Sequence, residues 1–250
     1  VTTILHASHI FKSFLLGGRS KLILKDVEFS LAEGEFVSIV GPSGCGKSTF
    51  LELLAGITKP DSGTILYQDK DITGSSGHLG YMPQDDLLFP WLNLTQNILL
   101  PVRIRNGDLG AARKKLSGML PDFGLEEHAK HMPHQLSGGL KQRAAFLRTY
   151  MTGATVLLLD EPFASLDAIT RKQMQSWLKD VTHRLGITVI LVTHDIAEAT
   201  FLSDVIYQMS LAPGSFIRHY RVADYRARGL AELTELENVI TRGYIEPSGK

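Results

Sequence analysis

The chain of 250 residues has a single cysteine, Cys45, so no internal disulfide can form. That usage fits a reducing compartment, not a disulfide-stapled secreted domain. No apolar run approaches the ~18 consecutive residues of a membrane-spanning helix; work at a membrane would need another polypeptide to cross it. The opening stretch, VTTILHASHIFKSF, lacks the apolar centre of a secretory signal. Net charge is also missing. Twenty-six Lys and Arg balance 26 Asp and Glu, which removes the basic excess expected of a nucleic-acid binder. There is no internal repeat, no low-complexity tract and no heptad run. What remains, at 44% hydrophobic and 21% charged, is an ordinary globular composition, read here as a soluble cytoplasmic protein of one large or two small domains.

The apolar pattern sets the organisation. TILHASHIF and LILKDVEFSL alternate in short runs and predict antiparallel strands within residues 1–40. GEFVSIVG is continuously apolar, as expected of a strand buried on both faces. It runs into GPSGCGKST and then FLELLAG, an amphipathic helix closed by Gly56. SGTILYQDKDI and HLGYMPQ return to strand character. From about Asn93 to Met151 the pattern is helical, with breaks expected at Pro101, Gly107, Gly124 and Pro133. TVLLLDEP, a helix from about Ala168 to Arg184, the buried strand ITVILVTHD and a helix near Asp195 to Ser203 follow. The last thirty residues are charged and predict a peripheral helix with a frayed end. The expected division is an α/β core at about 1–88 and 154–220, a helical insert at about 89–153 and a charged extension at about 221–250.

Three stretches carry chemistry. In GPSGCGKST, Gly41, Gly44 and Gly46 let successive backbone N–H groups converge on an anion, and the helix start behind them adds a favourable dipole. Lys47 can reach β- and γ-phosphates, and the Ser48 hydroxyl can ligate Mg²⁺. The alternative, a tight turn that merely matches the pattern, is disfavoured by its place between an apolar strand and an apolar helix. In TVLLLDEP a buried strand delivers Asp160 and Glu161 at its carboxyl end, where doubly wound sheets bind ligands. Asp160 can hold Mg²⁺ or its water shell, and Glu161 can polarise an attacking water. Otherwise the two acids simply cap the strand before Pro162. LSGGLKQR, seen alone, is an N-capped helix in the helical insert. His128, His131 and His134 are spaced by three, but Pro133 interrupts any common helix, so a solvated surface is the reading rather than a metal site.

Taken together and in this order, GPSGCGKST, MPQDD, LSGGLKQR, TVLLLDEP, SLD and VTHD resemble the ATPase subunit of an ABC transporter over roughly residues 4–215. The resemblance implies a P-loop NTPase (RecA-like) α/β core with an N-terminal antiparallel β subdomain and an inserted α-helical subdomain. It implies ATP and Mg²⁺ as cofactors, ATP hydrolysis, and a head-to-tail homodimer. ATP would lie between Gly41, Pro42, Ser43, Gly44, Cys45, Gly46, Lys47, Ser48 and Thr49 of one copy and Ser137, Gly138 and Gly139 of the other. Phe14 matches the aromatic that stacks on adenine; Phe11 competes for that role, and either could be core. Gln84 matches the residue that senses Mg²⁺ and the attacking water, or else is a polar strand end. Asp167 matches the loop that touches the opposite subunit, or else caps the next helix. His194 matches the histidine on the γ-phosphate. Lys47, Gln84, Glu161 and His194 form the implied catalytic set, with Ser48, Gln84 and Asp160 toward the metal. One departure is Leu140, where the family often has glutamine.

DDLLFPWLNLTQNILLP is more apolar than a loop beside an active site requires, which predicts a docking surface for an integral membrane permease centred on Phe89 and Trp91. The alternative is that these side chains fill the insert's own core. LFPWL is similar to importer ATPases of the nitrate, sulfonate, taurine and pyrimidine-precursor group. That likeness implies a solute-binding protein as an indirect partner, a peripheral place on the cytoplasmic face of the membrane, and no nucleic acid. Two other classes stay open: a non-transport ABC head of the DNA-repair or chromosome type, and a P-loop kinase or switch. The first usually carries coiled-coil insertions, and the second would leave LSGGLKQR without a role.

Overall fold

A computed structural model describes residues 2–245. In chain order it forms β1 (Thr3–Leu16), β2 (Arg19–Ala32), β3 (Phe36–Val40), α1 (Lys47–Leu54), β4 (Ser62–Tyr67) and β5 (Lys70–Asp71). Next come β6 (Gly80–Met82), α2 (Leu94–Ile104), α3 (Leu109–Met119), α4 (Gly138–Tyr150), β7 (Val156–Asp160) and α5 (Ala168–Leu185). The chain closes with β8 (Thr188–Thr193), α6 (Ile196–Leu202), β9 (Val205–Met209), β10 (Phe216–Arg221), α7 (Val222–Arg226) and α8 (Leu230–Ile245). Two compact units result: described residues through Leu79 together with those from Gly186 onward, and Gly80–Leu185.

In the first unit β2, β1, β4 and β5 make an antiparallel sheet in that order. Its long hairpin is bulged. The register of β1 on β2 shifts around Ile10, and Asp26 takes φ 48. The bulge lets Leu24 and Val27, three apart instead of two, both face inward without flipping the rest of the strand. β3 pairs in parallel with β8 and β9, and β10 adds antiparallel to β9. Every residue of β3 and β8 is buried, as their continuous apolar runs demand. Phe50 of α1 fastens that helix between layers: its ring meets Phe29 of β2 at 5.5 Å and Phe216 of β10 at 5.4 Å, both edge-on.

The charged C-terminal stretch is less peripheral than its composition suggests. Leu236 and Ile240 of α8 are fully buried with Val40, Ala199, Ile206 and Val222. An apolar stripe four residues apart seats the helix despite its charges, and Glu237 beside it accepts from the Thr200 hydroxyl. The frayed end expected beyond Ile245 lies outside the described residues.

The second unit pairs β6 with β7 in parallel, Met82 opposite Leu159. It extends past the helical insert at 89–153 because α5 packs on that insert. Trp177 lies 5.3 Å from the ring of Phe123 and 5.7 Å from that of Phe146, with the Arg143 guanidinium 5.2 Å over its face. Pro101 was expected to break a helix and does not; α2 runs through it. The ring removes one helical bond, to the Asn97 carbonyl, but an Asn93–Gln96 capping box starts the helix, and Arg105 N–H closes the next turn on the Pro101 carbonyl at 3.2 Å. Burial of Leu94, Ile98 and Leu99 outweighs the lost bond. Among the described residues no helix is long and apolar enough to cross a membrane.

Candidate active site

In the first unit, β3 ends at Val40 and α1 begins at Lys47, so Gly41–Gly46 form the connection between them. Gly44 (φ 76) and Gly46 (φ 109) take left-handed backbone that a side chain would strain. Gly46 is also the N-cap. It offers no side chain to occupy the free amides at the helix start, and the first turn carries no acid. Lys47 is buried, its Nζ donating to the carbonyls of Gly41 at 2.8 Å and Pro42 at 3.0 Å. The ammonium is therefore curled inside the turn, held by neutral oxygens that an anionic phosphate can outcompete. Ser43, Gly44 and Ser48 are exposed, Pro42 and Thr49 half-buried, while Cys45 is buried under the turn. Burial raises the Cys45 thiol pKa, and the Lys47 charge partly offsets it.

His194, exposed, follows the buried end of β8. Its surroundings are fixed by polar bonds. Thr193 Oγ1 donates to Glu198 Oε2 at 2.7 Å and accepts from Asp195 N–H, while the Asp195 carboxylate caps α6 through Glu198 N–H at 3.1 Å. Phe14 is exposed on β1, with the Lys12 ammonium 5.1 Å from its ring centre, whereas Phe11 is half-buried and its carbonyl accepts from Asp61 N–H.

In the second unit the parallel register sends Gln84, two residues past β6, and Glu161, one past β7, off the same edge of the strand pair. Asp160 is buried and accepts a bond from the Tyr81 hydroxyl at 3.4 Å. Glu161 is half-buried with φ 44, a left-handed conformation uncommon for a non-glycine residue and typical of functional turns. Asp167 caps α5, its carboxylate accepting from Ile169 and Thr170 N–H, and the bonds from Thr170 hold its pKa below the usual carboxylate value. Ser137 caps α4 by accepting from Leu140 N–H at 3.4 Å. Ser137 and Gly138 are exposed, and Gly139 is buried: a Cβ there would meet Thr170 Cγ2 of α5 at 3.2 Å. The turns that start α4 and α5 are neighbours, since a Cβ on Gly138 would meet Leu166 Cδ2 at 3.1 Å.

The loop from Asp85 to Asn93 is fixed from beneath by two residues that sequence reasoning missed. Asn97, fully buried, accepts from Phe89 N–H at 2.7 Å and donates to the carbonyls of Phe89, Leu92 and Asn93. Arg148 donates to the carbonyls of Asp86 and Leu87 at 2.6 and 2.7 Å. Leu88 turns inward; Leu87, Phe89 and Trp91 point out, with the Phe89 and Trp91 rings 5.2 Å apart and Trp91 69% exposed. Core filling thus falls to Leu88, not to the two aromatics. Tyr81 was also missed; only its register opposite Leu158 gives it away.

A family described as ABC transporter matches residues 24–164. The aliphatic sulfonates import ATP-binding protein SsuB of Bacillus subtilis is 35% identical over 248 residues, covering 95% of this chain and 96% of its own. The taurine import ATP-binding protein TauB of Pseudomonas aeruginosa is 40% identical over 220 residues, covering 87% and 83%. The formylaminopyrimidine import ATP-binding protein ThiZ of Halalkalibacterium halodurans is 42% identical over 194 residues, covering 78% and 76%. Among solved structures, the dimeric ATP-binding cassette MJ0796 bound to ADP and Pi superposes with TM-score 0.75 at 32% identity, over 88% of this chain and 99% of that one. With a family match over more than half its length and a relative aligned nearly end to end, the chain belongs to the ABC transporter family as one of its ATP-binding proteins.

Proposed function

We infer that this chain is the ATP-hydrolysing subunit of an ABC importer that pairs head to tail with a second copy around two ATPs and drives a separate permease. The observation that carries this reading is the presence of two glycine-rich helix starts with exposed residues in one chain, Ser43 and Gly44 in the turn before α1 and Ser137 and Gly138 where α4 begins. The second is the complement a γ-phosphate needs from a partner copy. The import assignment is supported by relatives that act on sulfonates, taurine and formylaminopyrimidine, and the pairing by a dimeric cassette.

The residues fit the roles the family assigns. Lys47 exchanges its loop carbonyls for β- and γ-phosphate oxygens. The Ser48 hydroxyl, Asp160 carboxylate and Gln84 amide are hard oxygen donors of the kind Mg²⁺ takes. Mg²⁺ held by these groups would supply positive charge against the phosphate oxygens. Glu161 accepts the proton of the attacking water, and His194 donates to the γ-phosphate. Phe14, the more exposed of the two candidates, stacks on adenine. Asp167 and the Ser137–Gly139 amides act on the opposite copy. Phe89 and Trp91 receive the permease at the cytoplasmic face of the membrane, with a solute-binding protein beyond it.

The test is the ATPase rate as protein is diluted. A composite site makes specific activity fall steeply with dilution, and Ser137→Trp abolishes turnover while leaving the monomer's ATP binding in place. Specific activity that is independent of concentration and untouched by Ser137→Trp would remove the two-copy site.

A further inference from the structure

The hairpin of β1 and β2 carries two bulges whose side chains have no part in the nucleotide chemistry. Between the pairs Ala7–Phe29 and Ile10–Val27, β1 has two residues, Ser8 and His9, against the single Glu28 of β2. Between Ile10–Val27 and Lys12–Leu24 the surplus changes strand, with Lys25 and Asp26 of β2 against Phe11 alone. Bulges re-aim side chains. His9 and Asp26, one from each surplus, take left-handed backbone at φ 53 and 48, and their side chains meet beside that of Glu28. The neighbouring strand β4 fixes the first bulge in place, since a Cβ on Gly63 would clash with the His9 carbonyl.

The outcome is a set of three donors. His9 Nδ1 lies 2.9 Å from Asp26 Oδ1 and 3.2 Å from Glu28 Oε1, and the three side chains offer ligand atoms all within 4.8 Å of one another. Among the described residues this is the one group of three His, Cys, Asp or Glu side chains so placed. Ligands bound at ~2.0–2.1 Å around a tetrahedral metal stand ~3.3 Å apart, so both imidazole-to-carboxylate distances are close to those of neighbours on a shared ion. Glu28 Oε1 also accepts the His9 backbone N–H at 2.7 Å, an outer bond that steadies the carboxylate and leaves the oxygen a second lone pair. An ion pair by itself accounts for less. One imidazolium carries a single positive charge against two carboxylates, and with side chains 77%, 55% and 49% exposed, water screens the attraction. A dication balances both acids.

We propose that His9, Asp26 and Glu28 form a surface site for a divalent cation of the Zn²⁺ kind, which, with water completing its coordination, ties β1 to β2 across the double bulge. One imidazole with two carboxylates suits Zn²⁺, whereas Mg²⁺ keeps to oxygen donors and retains most of its water. The metal takes the place of the Nδ1 proton and leaves Nε2 protonated. In metal-free protein that proton joins His9 to Asp26. The site does not depend on the reading of Gly41–Thr49 as the nucleotide turn.

The test titrates ZnCl₂ calorimetrically into the full chain, stripped with EDTA and then freed of chelator and nucleotide, with millimolar MgCl₂ present and melting followed in parallel. Wild type should bind one Zn²⁺ in the micromolar range, and Zn²⁺ at about a hundredfold excess over the dissociation constant should raise the melting temperature by about 5–10 °C. His9→Asn and Asp26→Asn keep residues that accept positive φ, and Glu28→Gln keeps the shape of its side chain. Each should weaken Zn²⁺ at least about 30-fold, since loss of even an outer-shell partner costs about 10- to 100-fold. Three separate variants guard against one that misfolds. His128→Asn is the control: it breaks the other close imidazole pair, whose Nδ1 atoms of His128 and His131 meet at 3.0 Å, and should leave the affinity within twofold. The proposal fails if wild type shows no saturable Zn²⁺ binding in the presence of Mg²⁺. It fails equally if binding survives all three substitutions or is lost with His128 instead, and the trio is then an ion pair only.

Discussion

Trp91→Ala separates docking from folding. The indole is 69% exposed, lies against the Phe89 ring and sits on a loop held by Asn97 and Arg148. Taking ~250 Å² for the side chain, the exposed share is ~170 Å² and the share buried in the chain itself is ~80 Å². At ~25 cal/mol/Å², full burial by a partner contributes up to ~4 kcal/mol, whereas packing within the fold contributes ~2 kcal/mol as an upper bound. Binding to the permease should therefore weaken about 100- to 1,000-fold. Melting should fall by no more than about 8 °C. The assay is co-purification of the detergent-solubilised permease with wild-type or variant ATPase, with dissociation constants from titration and melting of the isolated chain in parallel. ATP binding by the isolated chain should be unaffected. Affinity for the permease within threefold of wild type, joined to a drop of more than about 8 °C in melting temperature, would refute the reasoning and return Trp91 to an internal packing role.

Glu161→Gln keeps the shape and the left-handed turn but cannot take a proton; hydrolysis should fall about 10²- to 10⁴-fold with MgATP binding retained, and unchanged turnover in a single-turnover assay removes Glu161 from the base role. A pH dependence follows from His9, whose Nδ1 lies 2.9 Å from Asp26 and 3.2 Å from Glu28. The Asp26 hydrogen bond and then the Glu28 charge raise its pKa above the ordinary 6.5. A raised folded pKa means the stabilisation is fully present below about pH 6.5 and disappears as pH climbs through the folded value. The melting-temperature gap between wild type and His9→Asn, which tolerates the same positive φ, should be open at pH 5.5 and closed well above neutrality. A gap that widens with pH would contradict this sign.

Much was legible in the chain because it is encoded between near neighbours. GPSGCGKST declares a strand, a turn and a helix start within a few residues, and the continuous runs FVSIV and VLLLD declare strands buried on both faces with their polar residues at the carboxyl ends. LFPWL declared an apolar loop, but not which side chains faced out; that depended on Asn97 and Arg148, whose bonds to the loop come from α2 and α4. Pro101 misled for the same reason. A breaker acts locally, and only the packing of Leu94, Ile98 and Leu99 shows that it is overruled. The left-handed backbone at Glu161 and the hydroxyl that Tyr81 lends to Asp160 leave no local signature either.

Sequence by itself determined the element order as far as the helix after His194, the buried strands before it, the two glycine-rich helix starts and the family, but not β9 and β10. Tertiary structure alone decided that a charged terminal helix seats Leu236 and Ile240 in the core and packs Tyr244 against the same cluster. The physical reason is range. Periodicity and turn chemistry act over a few residues, whereas the bond from Gln208 to the Ile240 carbonyl joins positions 32 apart and exists only once the strands have paired.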